Sequence, residues 1–223
     1  MKAGRNKEGE LIGLAWCVGC YFLISTKSKL EKVKVIEGKT NLNEIAFDCE
    51  YEFKIGKKTK TSLSLCYGTS DYLMPKEALF AYNKARSIQV ENSSQSELVF
   101  KSQYSAYSSF LASGATILLG TQRDVWRMQT REESGKAADV VYLPLDSWTD
   151  LVQYIFILKN SNGKRKEYAE KFACSLVSDD NQKMIESIGM FPVNLKSEVI
   201  YDGVMCDITL ENIGNLEPKM LFE

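Results

Sequence analysis

The chain predicts an α/β fold, and three observations carry that expectation. Short apolar runs alternate with helical periodicities, most regularly from residue 98 to residue 190. Gly, Pro, Asn or Ser bound most of those runs. The 223 residues are 44% hydrophobic and 26% charged, enough apolar matter for a sizeable core.

Residues 10–15 and 20–25 read as two short buried strands joined by a turn at Cys17 to Cys20. The run from Leu11 to Ser25 also resembles an export signal, with Cys20 as a lipid-attachment residue. Glu8 and Glu10 stand where such a signal should be free of acid, and the apolar run continues beyond Cys20, so the strand pair is preferred. A short helix is expected from Ser28 to Val35. Residues 45–66, with Lys54, Lys57, Lys58 and Lys60, read as an exposed hairpin or loop.

Pro75 fits a first helical turn and Glu77 suits its positive end, so a helix is predicted from Pro75 to about Val90. The turn formers Asn92 to Ser96 close it. Residues 98–111 predict a second amphipathic helix ending near Gly114, and Ala115 to Leu119 a strand that turns through Gly120-Thr121 into a loop ending at Arg127. Strands follow at 139–143, stopped by Pro144, and at 151–158. Lys164 to Val177 reads as a strong helix with Tyr168, Phe172 and Leu176 at four-residue spacing, followed by a short helix that Gly189 ends.

Composition narrows the chemistry. With no histidine, the chain cannot run Ser-His-Asp or Cys-His nucleophile activation, imidazole acid-base steps or an imidazole-ligated metal site. A formal net charge of -1 gives no support to nucleic-acid binding through bulk positive charge, and no phosphate-cradling glycine motif is present. Six cysteines are too few for a disulfide-stapled scaffold. Cys17, Cys20, Cys49 and Cys66 do not have the paired spacing of an all-cysteine zinc site, so no metal and no cofactor are expected. Trp16-Cys17-x-x-Cys20 leaves a thiol oxidoreductase as the competing reading, provided that Cys17 is an exposed thiolate at a helix N-terminus.

The order of several weak motifs is similar to that of the extracellular solute-binding proteins of ABC importers. These are Phe110-Leu111-Ala112-Ser113-Gly114 with the strand after it, the strand into Leu143-Pro144, the helix Tyr168 to Val177, then Ser178 to Gln182 and Gly189-Met190-Phe191-Pro192. Gly9 to Trp16 followed by Tyr21 to Lys27 resembles that family's first ligand loop and return strand. Ala15 departs from the usual proline there, and Ser25-Thr26 from the usual Tyr-Asn. The resemblance covers roughly residues 9–30 and 98–194.

It implies a two-lobe periplasmic-binding-protein-like fold, α/β throughout, with the N-terminal lobe incomplete and the export signal absent from this chain. Residues 1–66 and 139–188 would belong to the N-terminal lobe, and 67–138 and 189–223 to the C-terminal lobe. The chain would cross near 139–144 and 189–192. It also implies non-catalytic binding of a small polar solute, with a sugar expected, delivered to an ABC permease at the membrane by an extracellular or surface-anchored protein. Trp16 and Cys17, then Gln122, Arg123, Asp124 and Trp126, then Trp148 and Asp150, would line the ligand site, the aromatic faces stacking on a sugar ring and the polar groups bonding its hydroxyls. The segment after Phe191 would add a fourth loop. A protein-interaction module with no small ligand stays open beside this reading.

Overall fold

The computed structural model describes residue 8 and residues 12–32, 52–55, 59–62, 64–69, 74–86, 96–112, 115–133, 140–158, 160–193 and 217–218. Several expectations lie outside them: the helix beyond residue 86, the turn at 92–95, Gly114, Cys49, and any loop after Val193. The helix expected from Ser28 is α1, Lys27–Lys32.

Contacts divide the chain into two units. One holds Met1–Cys20 with Thr149–Glu223, and the other Tyr21–Trp148. The second unit is built on a five-stranded sheet in the order β6-β5-β7-β2-β8. Its strands are β2 (Tyr21–Thr26), β5 (Ser64–Gly68), β6 (Ser96–Phe100), β7 (Ile117–Thr121) and β8 (Val140–Leu145). β5 runs parallel to both β6 and β7, whereas β2 is antiparallel to β7 and β8. All six residues of β2 are buried, as suits an inner strand, and it accordingly reads as one continuous apolar run rather than as an alternation. Pro144 is accommodated because β8 is an edge strand.

Three helices follow the parallel strands: α2 (Pro75–Ala85), α3 (Gln103–Leu111) and α4 (Gln122–Glu133). Phe110, Ala106 and Tyr107 of α3 and Val125 and Met128 of α4 are buried with Leu65, Ile117, Leu118 and Leu119 of the sheet. A separate hairpin pairs β3 (Glu52–Ile55) with β4 (Thr59–Ser62), matching the hairpin expected there.

The first unit has a three-stranded sheet in the order β10-β1-β11. β1 (Leu14–Val18) pairs antiparallel with β10 (Val152–Ile155) and with β11 (Phe191–Pro192). Helix α5 (Gly163–Leu176), the short α6 (Asp179–Lys183) and a 3-10 turn (Ile185–Ile188) complete its described elements, and Gly189 ends the turn at φ 68°. A two-residue strand, Glu217–Pro218, is also described, and β9 (Trp148–Thr149) spans the boundary between the units.

Four expectations change. β1 and β2 are buried strands but not partners: the chain leaves one sheet at Gly19-Cys20 and enters the other at Tyr21. Residues 98–111 are not one helix, because Ser96–Phe100 pairs with β5 and the helix starts only at Gln103, capped by Ser102 Oγ accepting from Ser105 N at 3.2 Å. Residues 64–68 are not exposed loop but the strand between β6 and β7. Finally, the unit boundaries fall at 20/21 and 148/149 rather than near 139–144 and 189–192. Pairing explains this: β2 joins β7, β8 joins β2, and β11 joins β1.

Candidate functional site

The carboxyl ends of three parallel strands and the N-termini of three helices meet at one edge of the five-stranded sheet. β5 leads through Thr69 toward α2, β6 leads into α3, and β7 leads directly into α4. In open α/β sheets this edge gathers ligand sites, since helix N-termini present unsatisfied N–H groups and a positive dipole end.

Glycine at two strand ends permits the close approach. A Cβ on Gly68 would collide with the main chain of Ser102 and Gln103, and one on Gly120 would stand 2.9 Å from both Asp124 Oδ2 and Ile24 Cδ1. Gln103 then ties two of the connections together, accepting from Gly68 N at 3.2 Å and donating from Nε2 to Asp124 Oδ2 at 3.0 Å.

Asp124 is fully buried and holds the start of α4. Its Oδ2 accepts from Thr121 N at 2.9 Å and Thr121 Oγ1 at 3.2 Å as well as from Gln103, and its Oδ1 accepts from Arg127 Nη1 at 3.2 Å. Thr121 is thus the residue before the helix and Asp124 the third residue in it, the acid half of a capping box. Burial, only partly offset by those donors, keeps the carboxyl above the usual carboxylate range. With both oxygens engaged inside the unit, Asp124 shapes the edge rather than facing a solute.

Of the other residues expected in this loop, none is in a loop. Gln122, Arg123 and Trp126 lie in the first turns of α4; Gln122 is buried, while Arg123 and Trp126 are half-buried. Arg123 Nε is buried and has no hydrogen-bond partner among the described residues. Trp148 is half-buried in β9 at the end of the same unit.

Trp16, Cys17 and Asp150 belong to the first unit. Trp16 packs on a cluster of Cys17, Ile185 and Met190, and its carbonyl accepts from Gln182 Nε2 at 2.8 Å. Asp150 is buried, and its carbonyl accepts from Val152 N at 2.9 Å. Cys17 is 0% exposed inside a strand and Cys20 is 1% exposed. Neither thiol stands at a helix N-terminus, which removes the arrangement that the oxidoreductase reading requires. Elsewhere burial pushes the Cys66 thiol up to about 12, the opposite of an activated thiolate.

Sequence reasoning missed Thr69, Lys101, Ser102 and Tyr104, which are exposed or half-buried at the ends of β5 and β6. Ser102, a capping residue just after the apolar Leu98-Val99-Phe100, was the signal that a strand ends and a helix begins there. Among the described residues no group of three potential metal ligands comes together, and no helix is long and apolar enough to cross a membrane.

No protein-family model matches the chain, and no curated protein sequence matches it. Solved structures do. The GacH receptor of Streptomyces glaucescens, studied unliganded and with acarbose, has a TM-score of 0.62 at 12% identity, over 98% of this chain and 63% of its own. The spermidine/putrescine ABC transporter substrate-binding protein PotD of Streptococcus pneumoniae has a TM-score of 0.60 at 12% identity, over 96% and 65%. MalE3 of T. maritima, with maltose bound, has a TM-score of 0.56 at 15% identity, over 96% and 63%. The chain therefore spans less than two thirds of the length of each of these structures, and over that span it has the α/β fold of the periplasmic substrate-binding proteins.

Proposed function

We propose that the chain binds a small polar solute without transforming it, at the carboxyl edge of β5, β6 and β7. The observation that carries this reading is the convergence of three strand ends and three helix N-termini on one edge, with Thr69, Lys101, Ser102 and Thr121 at the strand ends and Tyr104, Arg123 and Trp126 in the first turns of the helices. These supply hydroxyls, cations and aromatic faces. Of the described acids there, Asp124 is occupied internally, whereas Glu77, in the first turn of α2, is exposed. Such a lining suits a hydroxyl-rich solute, whose hydroxyls can both donate to a carboxylate and accept from the cations and helix N–H groups.

A carbohydrate fits this chemistry best, with Trp126 and Tyr104 offering ring faces for stacking. Two of the similar structures are described with acarbose and with maltose, which supports the same choice. The physiological role inferred is delivery of that solute to an ABC importer permease, outside the cell. Trp148, half-buried at the end of the same unit, is retained in this proposal as a further ligand contact.

Calorimetric and fluorescence titration of the protein with maltooligosaccharides, anionic sugars and spermidine tests the reading. Saccharide binding is expected, weakened several-fold by Trp126→Ala, in line with about 0.5–1.5 kcal/mol for a stacking face, with the melting temperature nearly unchanged. A large stability loss would instead assign Trp126 to the core. Binding of spermidine but no saccharide would overturn the carbohydrate assignment, and no binding by any of the three would leave a protein-interaction module in front.

A further inference from the structure

We propose that α2 acts as a brace coupling the two points at which the chain passes between its two units. The outward passage is at Cys20/Tyr21 and the return at Trp148/Thr149. Each passage is followed or preceded, within the second unit, by a residue that one end of α2 grips.

At the N-terminal end, Met74 N donates to Tyr21 Oη at 3.0 Å, so the first residue after the outward passage receives the N-H just before the helix. At the C-terminal end, Arg86 follows the last helical residue. Its Nη2 donates to Asp146 Oδ1 at 2.8 Å and Oδ2 at 3.0 Å, and its Nη1 donates to Ser147 Oγ at 3.0 Å. The guanidinium lies 3.7 Å from the centre of the Tyr82 ring, which is itself buried, so the arginine is held by stacking as well as by its forked pair. Asp146 and Ser147 directly precede Trp148, the last residue before the return passage.

The contacts form a closed circuit. Tyr21 is paired with Leu145 across β2 and β8, and α2, of 11 residues and about 16 Å in length, returns from one to the neighbour of the other. A helix is stiff over this length, so a loosening of α2 is transmitted to both grips at once, although they lie at opposite ends of it. Sheet pairing alone predicts otherwise: Tyr21 and Leu145 would stay fixed whatever happens to the helix. This inference does not depend on the identity of any ligand.

Hydrogen exchange on the full chain, read by mass spectrometry, separates the two. Ala81→Gly lies within α2 and alters neither grip, and glycine weakens a helix interior by about fivefold in local equilibrium. The expected result is an increase in opening of about fivefold at Tyr21–Phe22 and at Leu145–Trp148 together. Increased exchange confined to residues 76–86, with both passages unchanged, would overturn the proposal. Should Ala81→Gly fail to fold, the unaltered protein in sub-denaturing urea gives the same decision: α2 and both passages merge into one opening isotherm if the brace exists, and follow separate isotherms if it does not.

Discussion

Each of the two units has a fully buried polar side chain on which several hydrogen bonds converge, and the two differ in kind. In the first unit it is an amide: Gln182 donates from Nε2 to Trp16 O at 2.8 Å and to Leu176 O at 2.7 Å, and its Oε1 accepts from Val193 N at 2.7 Å. In the second it is a carboxyl, Asp124, on which four donors converge. The difference follows from what each group can do. An amide offers both donors and an acceptor, so it can join a strand, a helix end and a returning segment whose free groups are of both signs. A carboxylate only accepts, so it belongs where donors alone converge, at a helix N-terminus.

Exchanging the two chemistries should break both hubs, unequally. Gln182→Glu has the larger effect. Ionised, it turns an acceptor toward the carbonyls of Trp16 and Leu176, strips both of their donor, and buries an unpaired charge, for a loss of roughly 3–5 kcal/mol in urea-induced unfolding. Gln182→Ala should cost somewhat less, because it orphans the same main-chain groups without the charge. Equal stability of Glu and wild type near neutral pH would show that the site is wetter than its burial indicates.

Asp124→Ala comes next, at about 3 kcal/mol, since it leaves the Thr121 N–H and the Gln103 amide without an acceptor. Asp124→Asn should cost only about 1 kcal/mol: its carbonyl can keep the Thr121 and Gln103 bonds, and Arg127, being partly exposed, can turn to water. The acid dependence separates the pair further. Because burial raises the Asp124 carboxyl above its unfolded value, its contribution to stability is complete below about 3.9 and is lost as pH rises through the folded value. The gap in unfolding free energy between wild type and Asp124→Asn should therefore shrink as pH rises from about 4 toward neutrality, and a widening gap would mean that the donors outweigh burial.

How much of this was legible depended on whether the local pattern was unique. The α/β alternation, Pro75 opening a helix and the Gly189 stop all rest on short-range chemistry and stand in the structure, whereas Pro144, read as a strand stop, lies inside β8 because that strand is at the sheet edge. Partner choice does not. Leu11 to Ser25 is one apolar run, and nothing local says that its two halves pair with strands more than 90 residues away. Thr121-x-x-Asp124 was a legible helix start that the loop reading overlooked, and with it went the recognition that Asp124 is a cap. Gln182 stood inside a quoted motif, but its role as a hub depends on Trp16 and Val193 being brought to it.

The smallest expected effect lies on α5, where Tyr168 and Phe172 share a four-residue spacing on a helix that reads from the sequence as strong. In the structure they are 64% and 60% exposed, and Ala173 is the buried residue of that helix. The spacing identified a real stripe, but periodicity does not say which side of a helix its neighbours cover, and only Leu176, at the end, is half-buried. If the side chains packed as a core stripe, Phe172→Gln would create a cavity and cost about 3–5 kcal/mol. On a surface helix the change should stay within about 0.5 kcal/mol, because Gln forms helix at least as well as Phe and no buried contact is lost. The double variant Tyr168→Gln with Phe172→Gln should then be close to additive, the two positions sharing little beyond a four-residue neighbour contact. A loss of several kcal/mol at either position would show that another part of the chain covers this face in solution, and would make the first unit as dependent on apolar packing as the second.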